Sequence, residues 1–250
     1  IKAYEWAEVG MIGEVNGVTY TIVDEELLVN MITNNEDVSV VCTSKITNMS
    51  SMFNQLSVNG DIGSWDVSNV TNMAGMFAQN GGMIGDISNW DVSSVTNMFK
   101  MFYYTTIFEG DISAWDVSSV TDMRYMFTNA SYFNANISAW DVSNVTNMTF
   151  MFLDAENFNQ PIGDWDVSNV TDMAYMFKRT EFNQNISNWD VSSVTEMRQM
   201  FNNNYEFNQD LSNWDVTNVI YCYAFSVNAA SWNSPQFGLP QPNFTNCNPD

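Results

Sequence analysis

Seven aspartates occupy one position of a recurring pattern: Asp66, Asp91, Asp116, Asp141, Asp166, Asp190 and Asp215. Each lies between a Trp and a Val that read as inward-facing, so on extended backbone its carboxylate points outward. Stacked at about strand spacing, neighbouring carboxylates repel by roughly 1 kcal/mol even in bulk water, and something must compensate. One compensation is calcium, which takes oxygen ligands that stacked carboxylates supply. On that reading the seven residues are a metal row, and calcium is the only cofactor the sequence suggests. The other compensation is local: each Asp accepts hydrogen bonds from backbone N–H groups of the following turn, with hydroxyls such as Ser68 nearby. A partial second row, Asp61, Asp86, Asp111 and Asp210, is broken by Asn136, Pro161 and Asn185. The break weakens any two-row metal scheme, and no EF-hand loop is present.

A second set of candidates lies where the repeats differ. The pairs Ala74-Gly75, Phe99-Lys100, Arg124-Tyr125, Thr149-Phe150, Ala174-Tyr175 and Arg198-Gln199 vary while their surroundings do not. Tyr125, Phe150 and Tyr175 form a potential aromatic strip, and with Arg124 and Arg198 they are the candidate binding residues. Packing beneath a neighbouring loop is the plainer alternative. A third row, Thr71, Thr96, Thr121, Thr146, Thr171 and Thr195, offers regular hydroxyls that could meet ice or glycans, or bond back to the chain. Catalysis needs unlike residues converging at a local break in symmetry. The chain has no His, no nucleophile motif and nearly identical units, so no enzymatic activity is expected.

The elements that must position these residues follow from the period. Trp stands at 65, 90, 115, 140, 165, 189 and 214, a spacing of 25 broken only by the 24 between Trp165 and Trp189. The missing residue falls in Lys178-Arg179-Thr180-Glu181 before Phe182, which belongs in a loop. Within a unit, Ile137, Trp140 and Val142 suit a short strand, and Val145, Met148 and Met151 suit one helical or 3₁₀ turn. Ser143 and its equivalents would cap that turn. A unit of this size cannot bury its own apolar edge, so the units must stack into a solenoid. Twelve of the 17 Met then fall into two ladders as core filler, and the Trp into a third.

The pattern Ile-Ser-x-Trp-Asp-Val-Ser-x-Val-Thr-x-Met-x-x-Met-Phe-x-x-Ala-x-x-Phe-Asn-Gln resembles the BspA-like bacterial surface-protein repeat. That repeat occurs in Mycoplasma lipoproteins and in large surface proteins of marine Bacteroidetes, and it is similar to a variant leucine-rich repeat. The resemblance covers about 42 to 225. It implies an α/β repeat solenoid: a right-handed, leucine-rich-repeat-like stack with one short parallel strand per coil. It also implies an exterior location and a role in adhesion, and it carries over no catalytic residues. Met83, where a Phe is expected, and Pro161 depart from the pattern.

Around the repeats, residues 1–40 read as an N-terminal cap, 41–225 as the repeat array and 226–250 as a degenerate last coil. In the cap, Asn16-Gly17 signals a hairpin and Asp24 an N-cap for a short helix bearing Leu27, Leu28, Met31 and Ile32. In the last coil, Leu239 falls on the Trp position and Cys247 on the Met position, as Cys222 does one coil earlier. Stacked positions about 5 Å apart allow a disulfide, so Cys222–Cys247 is predicted, with Cys42 left free. A structural disulfide argues for an oxidising, extracellular setting. The start at Ile1, with neither initiator Met nor signal peptide, suggests a processed protein or an excised piece.

The net charge of −22 makes nucleic acid and anionic membrane poor partners. No apolar run is long enough to span a membrane. The expected partners are a protein or glycan on another surface, or copies of the chain itself. The expected role is an extracellular adhesion or ligand-binding module, or alternatively a self-associating subunit of a surface layer, filament or capsid decoration.

Overall fold

A computed structural model describes all residues 1–250. It opens with an antiparallel hairpin, β1 (Ile12–Val15) and β2 (Val18–Ile22). The connecting Asn16 and Gly17 both have positive φ, 51° and 80°, as a two-residue turn between twisted strands requires. Helix α1 (Glu25–Thr33) follows, its first turn capped by the Asp24 carboxylate, which accepts from the Leu27 N–H at 2.9 Å. Leu28 and Ile32 are buried and join the main core. Strand β3 (Val41–Cys42) pairs in parallel with β2, tying this cap to the first repeat.

From there to the C-terminus the units stack one upon the next. A single core of 67 buried residues runs from Val23 to Trp232, so no internal boundary divides the array. Both Met ladders and the Trp row lie inside it. Adjacent indoles stack nearly parallel, Trp65 on Trp90 at 6.4 Å and Trp90 on Trp115 at 6.5 Å. Each indole N–H donates into the preceding unit, Trp90 to the Ile62 carbonyl and Trp115 to the Ile87 carbonyl, both at 3.1 Å. The Trp row thus carries its own polar tie, satisfying a buried donor that would otherwise be costly.

The backbone within a unit differs from the sequence expectation. The Ile-x-x-Trp-x-Val segment is no strand: Trp65 N–H closes a turn on Ile62 and Val70 N–H one on Val67. Parallel pairing is reduced to one residue per unit, between Thr and Met in Asn48, Asn72, Asn97, Asp122, Asn147, Asp172 and Glu196 and between Ile220 and Cys222 in the last, Tyr221. The expected helical turn is replaced by tight turns in which alternate amides do different work. Met76, Ala78 and Asn80 donate locally to Met73, Gly75 and Phe77, whereas Met73, Gly75, Phe77 and Gln79 donate to Asn97, Phe99, Met101 and Tyr103 of the next unit.

A left-handed residue at fixed places enforces this alternation. Gly75, Lys100, Tyr125, Phe150, Tyr175, Gln199 and Ala224 all have φ between 53° and 62°. A helix would consume every amide internally; left-handed residues four apart in each unit, such as Gly75 and Gln79, release some of them to the neighbour. The serines do not cap a helix either: Ser93 and Ser168 donate amide and hydroxyl to the Asp two residues back.

At the C-terminal end the disulfide Cys222–Cys247 joins equivalent positions of the last two coils, with Cα atoms 5.9 Å apart. Cys42 is free and buried. The last coil keeps only part of the pattern: Leu239 is exposed, while Phe244 and Cys247 pack against the core and Trp232 closes the Phe row. Met83 is also outside, 85% exposed, because Gly81, Gly82 and the left-handed Gly85 let the chain turn Ile84 inward in its place.

Candidate binding face

The Asp row is exposed as expected, apart from Asp66, which Lys2 covers at 3.8 Å. Every member accepts the amide of the residue two ahead through Oδ1, at 3.0–3.2 Å, from Ser68, Ser93, Ser118, Ser143, Ser168, Ser192 and Thr217. Hydrogen bonds from the Ser side chain and amide pull Asp91, Asp116, Asp141, Asp166 and Asp190 below the usual carboxylate range. Repulsion from the adjacent Asp opposes this at Asp116, Asp141, Asp166 and Asp190 but is smaller. Local turns thus offset the charge crowding. Nowhere do three or more acidic, His or Cys side chains converge as a metal site requires.

The depressed carboxylates set the sign of an acid response. A group whose folded pKa lies below its unfolded value contributes stability above the unfolded pKa, near 3.9 for Asp, and loses it as pH falls through the folded value. Denaturant midpoints are therefore expected to hold down to about pH 4 and to drop below it. Asp→Asn changes along the row should flatten that drop while keeping the turns, since Asn136 and Asn185 already accept Ser138 and Ser187 amides at 3.0 Å. A midpoint unchanged down to pH 2 would contradict the assignment.

Two further rows use the same turn. Asp61, Asp86, Asp111 and Asp210 accept from residues two ahead. So do Asn48, Asn72, Asn97, Asp122, Asn147, Asp172 and Glu196, a row that sequence reading passed over although its acceptor recurs in every Thr-x-Met. The Thr hydroxyls bond back to the chain: Thr96 donates to the Thr71 carbonyl at 3.2 Å and Thr171 to that of Thr146 at 3.2 Å.

The variable pairs come together as one face. Tyr125 stacks on Phe150 at 4.6 Å and Phe150 on Tyr175 at 4.3 Å, with planes within 10°. All three are left-handed and half-buried, so their ring faces meet each other and their edges face solvent. Both arginines lie alongside, but each is engaged: Arg124 holds Asp122 through two bonds and Arg198 holds Glu196. These bonds raise both guanidinium pKa values further.

The structure adds Tyr103, Lys178 and Tyr221 to this face and gives Lys100, named in the sequence only within a variable pair, a defined place. The Lys100 ammonium sits 5.0, 4.9 and 5.1 Å from the ring centres of Phe99, Tyr103 and Tyr125. Lys178 lies 5.5 Å from the Tyr175 ring and donates to Gln199, and Arg198 lies 5.7 Å from Tyr221. Lys100, Arg124, Lys178 and Arg198 are four of the seven Lys and Arg residues in the chain. The signal was present in the composition: where cations are so few, their coincidence with the aromatic positions of the period marks the face. Positive ring edges and ammonium groups together can hold an electron-rich surface.

No curated protein and no solved structure matches the chain. The family described as "Mycoplasma protein of unknown function, DUF285" matches at residues 25–134, 108–181 and 164–247. These overlapping matches begin at the first residue of α1, run through every unit of the stack and end at the second disulfide cysteine. The chain therefore belongs to the DUF285 repeat family.

Proposed function

We propose that the chain is a non-catalytic recognition module of the cell exterior that binds a protein or glycan on another surface. We also propose that its stack is a right-handed, leucine-rich-repeat-like solenoid of the BspA-like kind. The observation that carries the functional reading is the gathering of four of seven cations and a row of stacked aromatic rings on one face of a chain with net charge −22. Variation on that face, over an unvarying core, is what a scaffold with exchangeable specificity would show. The disulfide supports an oxidising compartment.

A glycan array and a panel of immobilised extracellular proteins test this reading. At least one binder is expected, weakened at least tenfold by Lys100→Glu/Lys178→Glu and by Tyr125→Ser/Phe150→Ser/Tyr175→Ser. Unweakened binding by both variants would overturn the assignment of the face, and turnover of a polysaccharide would overturn the non-catalytic reading.

Self-association is the second reading, favoured by Tyr4, Trp6 and Ile12, which are largely exposed beside the open edge of β1. No binder, combined with concentration-dependent assembly, would establish it instead.

A further inference from the structure

A groove lies beside the one irregularity in the period. The fifth unit is a residue short between Lys178 and Phe182, and at that seam side chains from three successive units line a space of about 520 Å³. They are Asp154 and Glu156 from one unit, Arg179, Thr180 and Glu181 from the next, and Asn203 and Tyr205 from the third. At these variable positions acceptors, a donor and an aromatic ring meet.

We propose that this groove is a binding site for a neutral sugar, separate from the aromatic face. The ring of Tyr205 is 57% exposed and stacks on no other aromatic side chain, unlike Tyr125 and Tyr175, whose faces are occupied by Phe150. A free ring face is the platform on which the C–H side of a pyranose settles. Arg179 donates to Asp154 at 3.3 Å, an exposed donor–acceptor pair of the kind that adjacent hydroxyls bridge.

The pair is set in place by the backbone: Asp154, Arg179 and Asn203 are equivalent left-handed residues with φ of 55°, 57° and 57°. Glu156 and Glu181 are held side by side by the Glu181 amide, which donates to the Glu156 carbonyl at 2.9 Å. Three carboxylates against one guanidinium leave the groove negative, so it excludes uronic, sialic and sulfated sugars. The carboxylates do not converge as a metal site requires, which leaves hydroxyl donors as their complement.

The test is a ¹⁵N–¹H titration of the whole chain with the methyl glycosides of glucose, galactose, mannose and N-acetylglucosamine. Concentrations run to about 100 mM, because one ring and a few hydrogen bonds give millimolar affinity. Saturable shifts at amides 179–181 and 203–206 are expected for at least one glycoside. Tyr205→Ala should abolish them, Tyr205→Trp should keep them and Asp154→Asn should weaken binding about tenfold, roughly 1.4 kcal/mol. The aromatic-face variants should leave the shifts unchanged, so this site and that face fail or succeed independently. No saturable shift with any of the four, shifts surviving Tyr205→Ala, or shifts centred on Tyr125 would overturn the proposal. Glu181→Gln, which removes a charge from an exposed side chain, serves as the second variant if Tyr205→Ala disturbs amides beyond the groove.

Discussion

Trp90→Ala is expected to lower the unfolding free energy by about 3–5 kcal/mol, the cost of truncating a large buried aromatic side chain. Trp90 is 3% exposed and meets Trp65, Trp115 and Phe77, so the gap would open in three directions. A further ~1 kcal/mol should follow from the lost indole bond to the Ile62 carbonyl. Trp90→Phe separates the two terms, keeping most of the stacking and losing only the bond.

In a quasi-one-dimensional protein, stability is a sum of units and nearest-neighbour seams, and weakening one seam uncouples what lies on either side. Hydrogen exchange should therefore accelerate first at Met73, Gly75, Phe77 and Gln79, whose amides cross to the unit carrying the altered stack. A uniform loss of protection from cap to C-terminus, with one unbroken melting transition, would show that the array unfolds as a block and that seam energies do not govern it.

The second large effect concerns the disulfide. Closing a loop of 25 residues, Cys222–Cys247 removes denatured-state entropy worth roughly 3 kcal/mol. The effect should be local. In a Cys222→Ala/Cys247→Ala variant, protection is expected to vanish at Leu211, whose amide donates to Pro240, and to weaken at Phe225, which donates to Pro249, while the Trp90 region stays unchanged. Releasing the last coil would uncover Phe225 and Trp232, so concentration-dependent aggregation should follow, as for any repeat array that loses its terminal cap. Equal melting temperatures and full protection in the variant would reduce the cross-link to an ornament.

Much of this architecture is legible in the residues, because a strict period carries its own alignment. The Trp, Val, Met and Phe ladders, the Asn16-Gly17 turn, the Asp24 cap and the cysteine pairing each rest on residue types with one strong preference. The internal geometry of a unit was not legible. Trp-x-Val alternates as a strand does, yet the intervening Asp binds the amide two residues ahead and bends the chain away. Nothing marks Lys100, Tyr125, Phe150 or Tyr175 as left-handed, since only Gly75 in that column has an intrinsic preference for such a conformation.

The site residues divide the same way. Tyr125, Phe150 and Tyr175 share a column and were brought together by the period. Asp154 and Arg179 also share a column, with Tyr205 in a neighbouring one, but both columns vary from unit to unit and the period does not show that a groove lies between them. Met83 illustrates the converse: its column predicts burial, but a run of glycines gives the backbone room to present Ile84 instead.

The alternating amides carry an implication for how such a chain changes length. The seams in the array reuse the same positions, with amides such as Met73 and Phe77 pointing forward and Thr amides and Trp indoles pointing back, so any unit can follow any other. Excising or duplicating one whole unit, such as residues 115–139, rejoins equivalent donors to equivalent acceptors and leaves every ladder in step. Gain or loss of whole units would then yield longer or shorter folded proteins in whole-unit steps. An in-frame slip of one residue must instead be absorbed in a loop, as it is at Lys178–Phe182.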